Sequence, residues 1–303
     1  MAVANLAKSG SSMPRERRSV LYSRTLWLWL LLLPVVIVLA APVWYMIAKA
    51  FTPESNQYKF PIVWFPDPFT ITNFTTIFRD GNLPILRWMS NSVVVTTVGT
   101  LLVLFVSSLS AYAFARLEFP GRDVIFAILL ISLMIPSVLQ VIPTFLLMRD
   151  LGHLPGVGQF VGLDTYSALW LPGAAGAGTI FFLRQQFFGI PRELEDAAVV
   201  DGAGRFRVFW QVALPLVKSA LVAVGILTAL GFWNELFWAL IMLSTREMIT
   251  LPVGLLAINQ GGYIQRGLSF AGGFMATVPP LILYAVFQRQ IIAGLATAGL
   301  AGR

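Results

Sequence analysis

Apolar and polar positions divide the chain into long uncharged runs set between charged residues. Such runs lie between Arg24 and Lys49, Arg87 and Arg116, Asp123 and Arg149, Asp164 and Arg184, Lys218 and Arg246, and Arg266 and Arg289, and only Glu235 interrupts the fifth. A bilayer core about 30 Å thick is crossed by about 20 helical residues. The pattern therefore predicts an all-α, polytopic membrane protein with six transmembrane helices, over about residues 25–48, 89–115, 124–148, 165–184, 216–243 and 267–288. Strands of a membrane barrel would alternate apolar and polar positions, and runs such as Leu28 to Ala41 do not.

Composition agrees with this reading. The chain is 57% hydrophobic and 12% charged, and its mean hydropathy is +0.78, more apolar surface than one water-soluble core could hide. The net charge of +7 would suggest nucleic acid in a soluble protein; beside six spans it suggests the cytoplasmic face of a bilayer, and no nucleic-acid partner is expected. Threading the chain with residues 1–24 inside puts basic residues on the inner side two to one. Both termini are then cytoplasmic, in the cell (inner) membrane. The polar, basic segment before the first run, and the length of that run, predict an uncleaved first helix. Zero Cys and the single His153 exclude disulfide scaffolds, thiolate metal sites and any zinc motif needing two imidazoles, so no metal is expected.

Between the spans, residues 51–88 interleave prolines with Trp64, Phe65, Phe69 and Phe74, which predicts an ordered aromatic cap at the outer interface. The glycine run from Pro172 to Gly178 lacks the Gly-Lys-Ser/Thr ending of a phosphate loop and lies in a predicted span. Close helix packing is expected there. No nucleotide-binding motif occurs in the sequence, so the chain is expected to be non-catalytic, with no cofactor of its own.

The longest polar interruption on the inner side, residues 190–218, has specific local physics. Pro191 suits a helix start, Glu193, Glu195 and Asp196 lie near the positive end of the helix dipole, and Gly202 after Asp201 supplies a stop. A second helical stretch from about Gly204 leads to Leu214-Pro215, which turns the chain into the membrane. Ala197 and Ala198 leave the first helix nearly bare, so another protein could approach its backbone closely.

This segment resembles the membrane subunits of ATP-binding-cassette importers, which carry Glu-Ala-Ala, three residues, Gly, nine residues and Ile-x-Leu-Pro. Here Asp196-Ala197-Ala198, Gly202 and Val212-Ala213-Leu214-Pro215 stand at the same intervals, with Asp and Val replacing Glu and Ile. Ala111 to Arg116, Trp233-Asn234-Glu235 and Phe287-Gln288-Arg289 extend the resemblance to permeases of carbohydrate importers of the maltose-transporter type, over roughly residues 20–303. The resemblance implies a permease domain over residues 25–303, a coupling loop over 190–215 and a cytoplasmic tail over 289–303. It also implies a second, homologous permease, two ATPase subunits that hold ATP and Mg, an extracytoplasmic solute-binding protein, and a sugar or oligosaccharide as solute. In such a complex Glu195, Asp196, Ala197, Ala198, Gly202, Leu214 and Pro215 would couple to the ATPase, with the acids pairing to its basic residues. Gln288, Arg289 and Arg303 would bring the tail to the ATPase. Trp233, Asn234 and Glu235 are expected on the solute pathway, where aromatic faces and amide or carboxylate groups suit sugar hydroxyls. An acid inside a span also suits a proton-coupled secondary transporter, and Glu235 keeps that alternative open.

Overall fold

The structure is a computed structural model that describes residues 15–81, 83–260 and 265–300, with side-chain surroundings for 29–81, 83–258, 265–288 and 290. All regular structure in the described residues is helical. In chain order the α-helices are α1 (Arg15–Ala50), α2 (Thr72–Arg79), α3 (Ile85–Arg116), α4 (Arg122–Ser132), α5 (Val141–Gly152), α6 (Ser167–Trp170) and α7 (Ala177–Phe188). They continue with α8 (Arg192–Val200), α9 (Arg205–Val208), α10 (Leu214–Leu216), α11 (Lys218–Trp233), α12 (Phe237–Met242), α13 (Leu251–Gln260) and α14 (Arg266–Leu300).

Three helical segments are long and apolar enough to cross a membrane unbroken, Trp29–Ala50, Ile85–Arg116 and Arg266–Gln288. Pro34 and Pro42 are accommodated inside α1, and Pro279 and Pro280 inside α14. The other expected spans are broken. In the third, α4 and the helical stretch Ser137–Gly152 meet at 101°; the chain leaves the helix before Pro136, which has no N–H to donate and disfavours helix in the residue ahead of it. The expected 165–184 segment is divided into α6 and α7 by residues 171–176. Its glycines are not close-packing points: an added Cβ at Gly173 would meet nothing within 4 Å, and at Gly178 only Leu133 at 3.9 Å. Proline and glycine act there as helix breakers. In the fifth, α11 stops at Trp233, and Asn234, Glu235 and Leu236 separate it from α12.

The long helix α3 is the axis of the fold. Its N-terminal part packs in a core with Trp88, Val95, Met242, Leu251, Ile258 and Leu268, and its C-terminal part in a second core with Tyr112, Leu183, Phe187 and Phe209. Close approach is made at Gly99, where a Cβ would lie 2.8 Å from the Phe232 ring and 2.9 Å from Trp170, and at Gly254, where it would lie 2.1 Å from Trp88.

Irregular backbone at the outer end is satisfied by buried polar side chains of α3. Asn91 donates to the carbonyls of Glu247 (2.7 Å) and Ile249 (2.8 Å) and accepts from the Tyr166 hydroxyl (2.7 Å). The Ser92 hydroxyl accepts from Leu251 N–H at 2.8 Å, and Trp88 donates to Arg246 carbonyl at 2.9 Å. Without water to serve these groups, a loop docked against a membrane helix requires such partners.

The 51–88 segment is ordered, as expected. Asn73 donates to the carbonyls of Ala50 and Thr52, Gln57 to those of Lys49 and Thr52, and Phe51 stacks on Phe69 with centroids 5.2 Å apart. The Glu54 carboxylate accepts the N–H groups of Arg266 (3.1 Å) and Gly267 (2.7 Å), capping α14 from a distant part of the chain. Phe60, Phe65 and Phe69 stay exposed along its surface.

Candidate coupling surface

The polar loop on the expected inner side folds as its sequence dictates, with small shifts. Pro191 is the residue before the first turn of α8 rather than within it, with φ −57° and ψ 131°, and Glu193 and Glu195 occupy the first turn. At the other end Gly202 adopts φ +85°. Its N–H donates to the Val199 carbonyl and the N–H of Ala203 to the Ala198 carbonyl, the paired bonds of a left-handed helix stop. A Cβ at Gly202 would meet nothing within 4 Å, so the requirement for glycine here is one of backbone conformation alone. The chain then enters α9, widens into a single π-helical turn over Phe209–Ala213, continues as α10, and bends by 79° into α11. Leu214 and Pro215 stand just ahead of that bend, as expected.

Sequence reasoning assigned Glu195 and Asp196 a shared role, and the fold separates them. Asp196 and Ala197 are exposed and Ala198 is half-buried, whereas Glu195 is 7% exposed and points into the protein. Glu195 Oε1 lies 2.9 Å from Arg116 Nε, in a charge contact whose side chains are 10% and 5% exposed respectively. Tyr112, one turn before Arg116 on the same face of α3, donates its hydroxyl to Glu195 Oε2 at 3.2 Å. Arg116 also donates to the carbonyl of Ile190, just ahead of α8. The Tyr112 ring packs against Phe187 of α7 and Phe209 of the π turn, with centroids 5.5 Å and 5.1 Å apart. Glu195 is therefore not free to pair with another subunit. It clasps α8 to the membrane helix α3.

Arg116 and Tyr112 are the residues that sequence reasoning missed in this role. Their signal was present: a tyrosine and an arginine four apart at the inner end of an apolar helix, with an acid-rich loop to receive them. A buried ion pair separated by 79 positions cannot be identified from spacing alone.

With Glu195 turned inward, the exposed outward face of α8 carries Glu193, Asp196, Ala197 and Val200, flanked by Leu194, and Val200 is 87% exposed. Beside it Phe206 and Trp210 stack with planes 13° apart, and both are exposed. A face of small and apolar side chains with two exposed carboxylates, Glu193 and Asp196, fastened from behind by Glu195, can receive a protein surface. Among the described residues, no cluster of three or more acids or histidines could hold a metal ion.

The expected solute-pathway residues also separate. Trp233 is buried at 6% exposure and donates its indole N–H to the Ala276 carbonyl of α14 at 3.0 Å. It joins α11 to α14 inside the subunit, a correction to its expected place on a solute-facing wall. Asn234 is exposed, its amide bonded to the Leu230 carbonyl, and half-buried Glu235 accepts the Trp238 N–H at 2.9 Å, starting α12. In the expected tail, Gln288 is exposed and α14 continues to Leu300. The Arg289 side chain and Arg303 lie outside the described residues.

Known proteins are similar to this chain in sequence and in fold. Residues 103–296 match the family described as binding-protein-dependent transport system inner membrane component. The arabinooligosaccharides transport system permease protein AraQ of Halalkalibacterium halodurans is 37% identical over 263 residues, covering 86% of this chain and 91% of that protein. The diacetylchitobiose uptake system permease protein NgcG of Streptomyces coelicolor is 32% identical and covers 94% of this chain and 90% of that protein. In three dimensions the chain is similar to one from a bacterial transporter involved in import of the acidic polysaccharide alginate, with a TM-score of 0.74 at 25% identity, over 91% of this chain and 98% of that one. By this similarity along most of its length the chain belongs to the family of binding-protein-dependent transport system inner membrane components, as a non-catalytic, multi-pass permease subunit of an ATP-binding-cassette importer.

Proposed function

We propose that this chain forms half of the translocation pathway for a sugar or oligosaccharide. In this reading it works beside a second, homologous permease, receives solute from an extracytoplasmic binding protein, and is driven by two ATPase subunits that hold ATP and Mg. Six spans with both termini cytoplasmic underlie the proposal: the three unbroken helices, the bent pair of α4 with Ser137–Gly152, and two interrupted crossings, α6 with α7 and α11 with α12. Domain limits are as the sequence suggests, a permease domain over 25–303 with its coupling loop at 190–215.

The observation that carries the proposal is the division of labour on α8. Its inner face is fixed to α3 by Glu195, Arg116 and Tyr112, while Glu193, Asp196, Ala197 and Val200 face outward. A partner gripping the outward face would move α8 and α3 together, and so convert ATPase closure into rearrangement of the membrane helices. Asp196 would supply the exposed charge for a basic residue of the ATPase, and Ala198 and Gly202 the close approach and the turn. Asn234 and Glu235, at the break between α11 and α12, are the pathway groups this reading retains. The tail residues Gln288, Arg289 and Arg303 would add a second ATPase contact.

Because the chain has no cysteine, Ala197→Cys introduces a unique thiol. In the assembled transporter it should cross-link to the ATPase, and Ala197→Asp should leave the permease in the membrane while abolishing solute-stimulated ATP hydrolysis. Normal uptake by Ala197→Asp, or uptake insensitive to vanadate, would favour the proton-coupled alternative through Glu235.

A further inference from the structure

A groove of about 310 Å³ runs between α3, α11 and α14. From α11 it is lined by Lys218, Leu221, Gly225 and Ala229, among others, residues three or four apart that share one helix face. Leu104 of α3 and Leu283 and Phe287 of α14 form its walls, and apart from Thr100 and Lys218 its lining is aliphatic or aromatic. Neither retained pathway residue, Asn234 or Glu235, lines the groove, and its lining offers sugar hydroxyls almost no hydrogen-bond partners.

We infer that this groove binds one anionic phospholipid of the cytoplasmic leaflet. Its dimensions fit a single leaflet: Lys218 to Ala229 spans about 16 Å of helix, roughly half of a hydrocarbon core about 30 Å thick. Its charge fits as well. Lys218 is exposed at the end of the groove, and among the described residues no carboxylate pairs with it. An ammonium at headgroup level beside an acyl-chain groove is complementary to a lipid phosphate with its chain laid along the helix. Gly225 sets the depth. A Cβ there would approach Leu104 Cδ1 to 3.2 Å, so any larger side chain would occupy the space the chain needs.

The assignment to the cytoplasmic leaflet rests on the orientation proposed above; the groove and its lysine do not. The test uses the complete transporter in nanodiscs of phosphatidylcholine containing phosphatidylglycerol, with retained lipid counted by native mass spectrometry after release. Phosphatidylglycerol should be retained over phosphatidylcholine, Lys218→Arg should keep that preference, and Lys218→Gln should reduce it about fivefold. Gly225→Leu should lower retention of both lipids. Equal retention by Lys218→Gln and the parent protein, or a helix of the second permease found seated in the groove, would overturn the site. Labelling of a Lys218→Cys thiol from the outer side only would instead overturn the leaflet and the orientation while leaving the groove's lipid preference intact.

Discussion

Glu195 and Asp196 are adjacent acids with opposite duties, and what separates them is the direction each leaves the helix. One is buried against Arg116 and the other is exposed. Removing one partner of a buried pair leaves an uncompensated charge, at a cost of about 3–5 kcal/mol, whereas replacing both with apolar residues is often neutral. Arg116→Met should therefore lower the heat-denaturation midpoint of the purified assembly sharply, and Arg116→Met with Glu195→Leu should recover most of that loss. If α8 acts as a lever, the double variant should regain stability without regaining full coupling between solute and ATP hydrolysis. Recovery of both would reduce the clasp to packing. Gly202 separates conformation from space in the same way. Its surroundings are open and its φ is +85°, so Gly202→Asn should be tolerated. Gly202→Val, a β-branched residue forced into the left-handed region, should cost about 1–3 kcal/mol and weaken ATPase association in a pull-down.

Whole elements are joined by polar groups placed inside otherwise apolar helices. Asn91 of α3 is the clearest, since one buried amide serves two carbonyls of the loop ahead of α13 and the hydroxyl of Tyr166. Asn91→Leu keeps the size and apolar character suited to a span but leaves those groups unserved, at about 1–3 kcal/mol for each that finds no water. The variant should insert normally and show a lower melting midpoint in detergent, with the 244–251 backbone exchanging its amide hydrogens faster. Close approach works by shape instead. At Gly99 even a methyl group would sit 2.8 Å from the Phe232 ring, so Gly99→Ala should separate α3 from α11 and destabilise the subunit by about 1–3 kcal/mol. Gly173→Ala, in open space within the α6–α7 break, should leave the melting midpoint unchanged.

At the scale of the molecule, ordinary periodicity carried much of the fold. Charge punctuation marked the long apolar segments, and acids, alanines and glycine at fixed intervals marked the coupling helix, because helix length, dipole and stop signals are local properties. The same local signals did not show that the third, fourth and fifth segments are broken, or that Trp233 faces inward. Hydropathy averages over a window and is blind to a 101° bend at Pro136 or to the partner an indole N–H will find. Which glycines are close contacts was equally hidden: Gly99 and Gly254 are lone glycines in apolar runs, while the conspicuous glycine cluster after Pro172 packs against almost nothing.

The sequence by itself determined that this is a membrane-embedded helical chain, with an acid- and alanine-rich helix stopped by glycine in its longest polar loop. Those properties follow from residue type and spacing, which act within a few helical turns. Only the tertiary structure decided which acid of the pair faces outward, that Arg116 and Tyr112 fasten α8 to α3, and that an apolar groove with Lys218 at its end opens between α3, α11 and α14. Each of these depends on residues tens of positions apart meeting in space, and helical periodicity holds no information about which distant helix will stand opposite a given face.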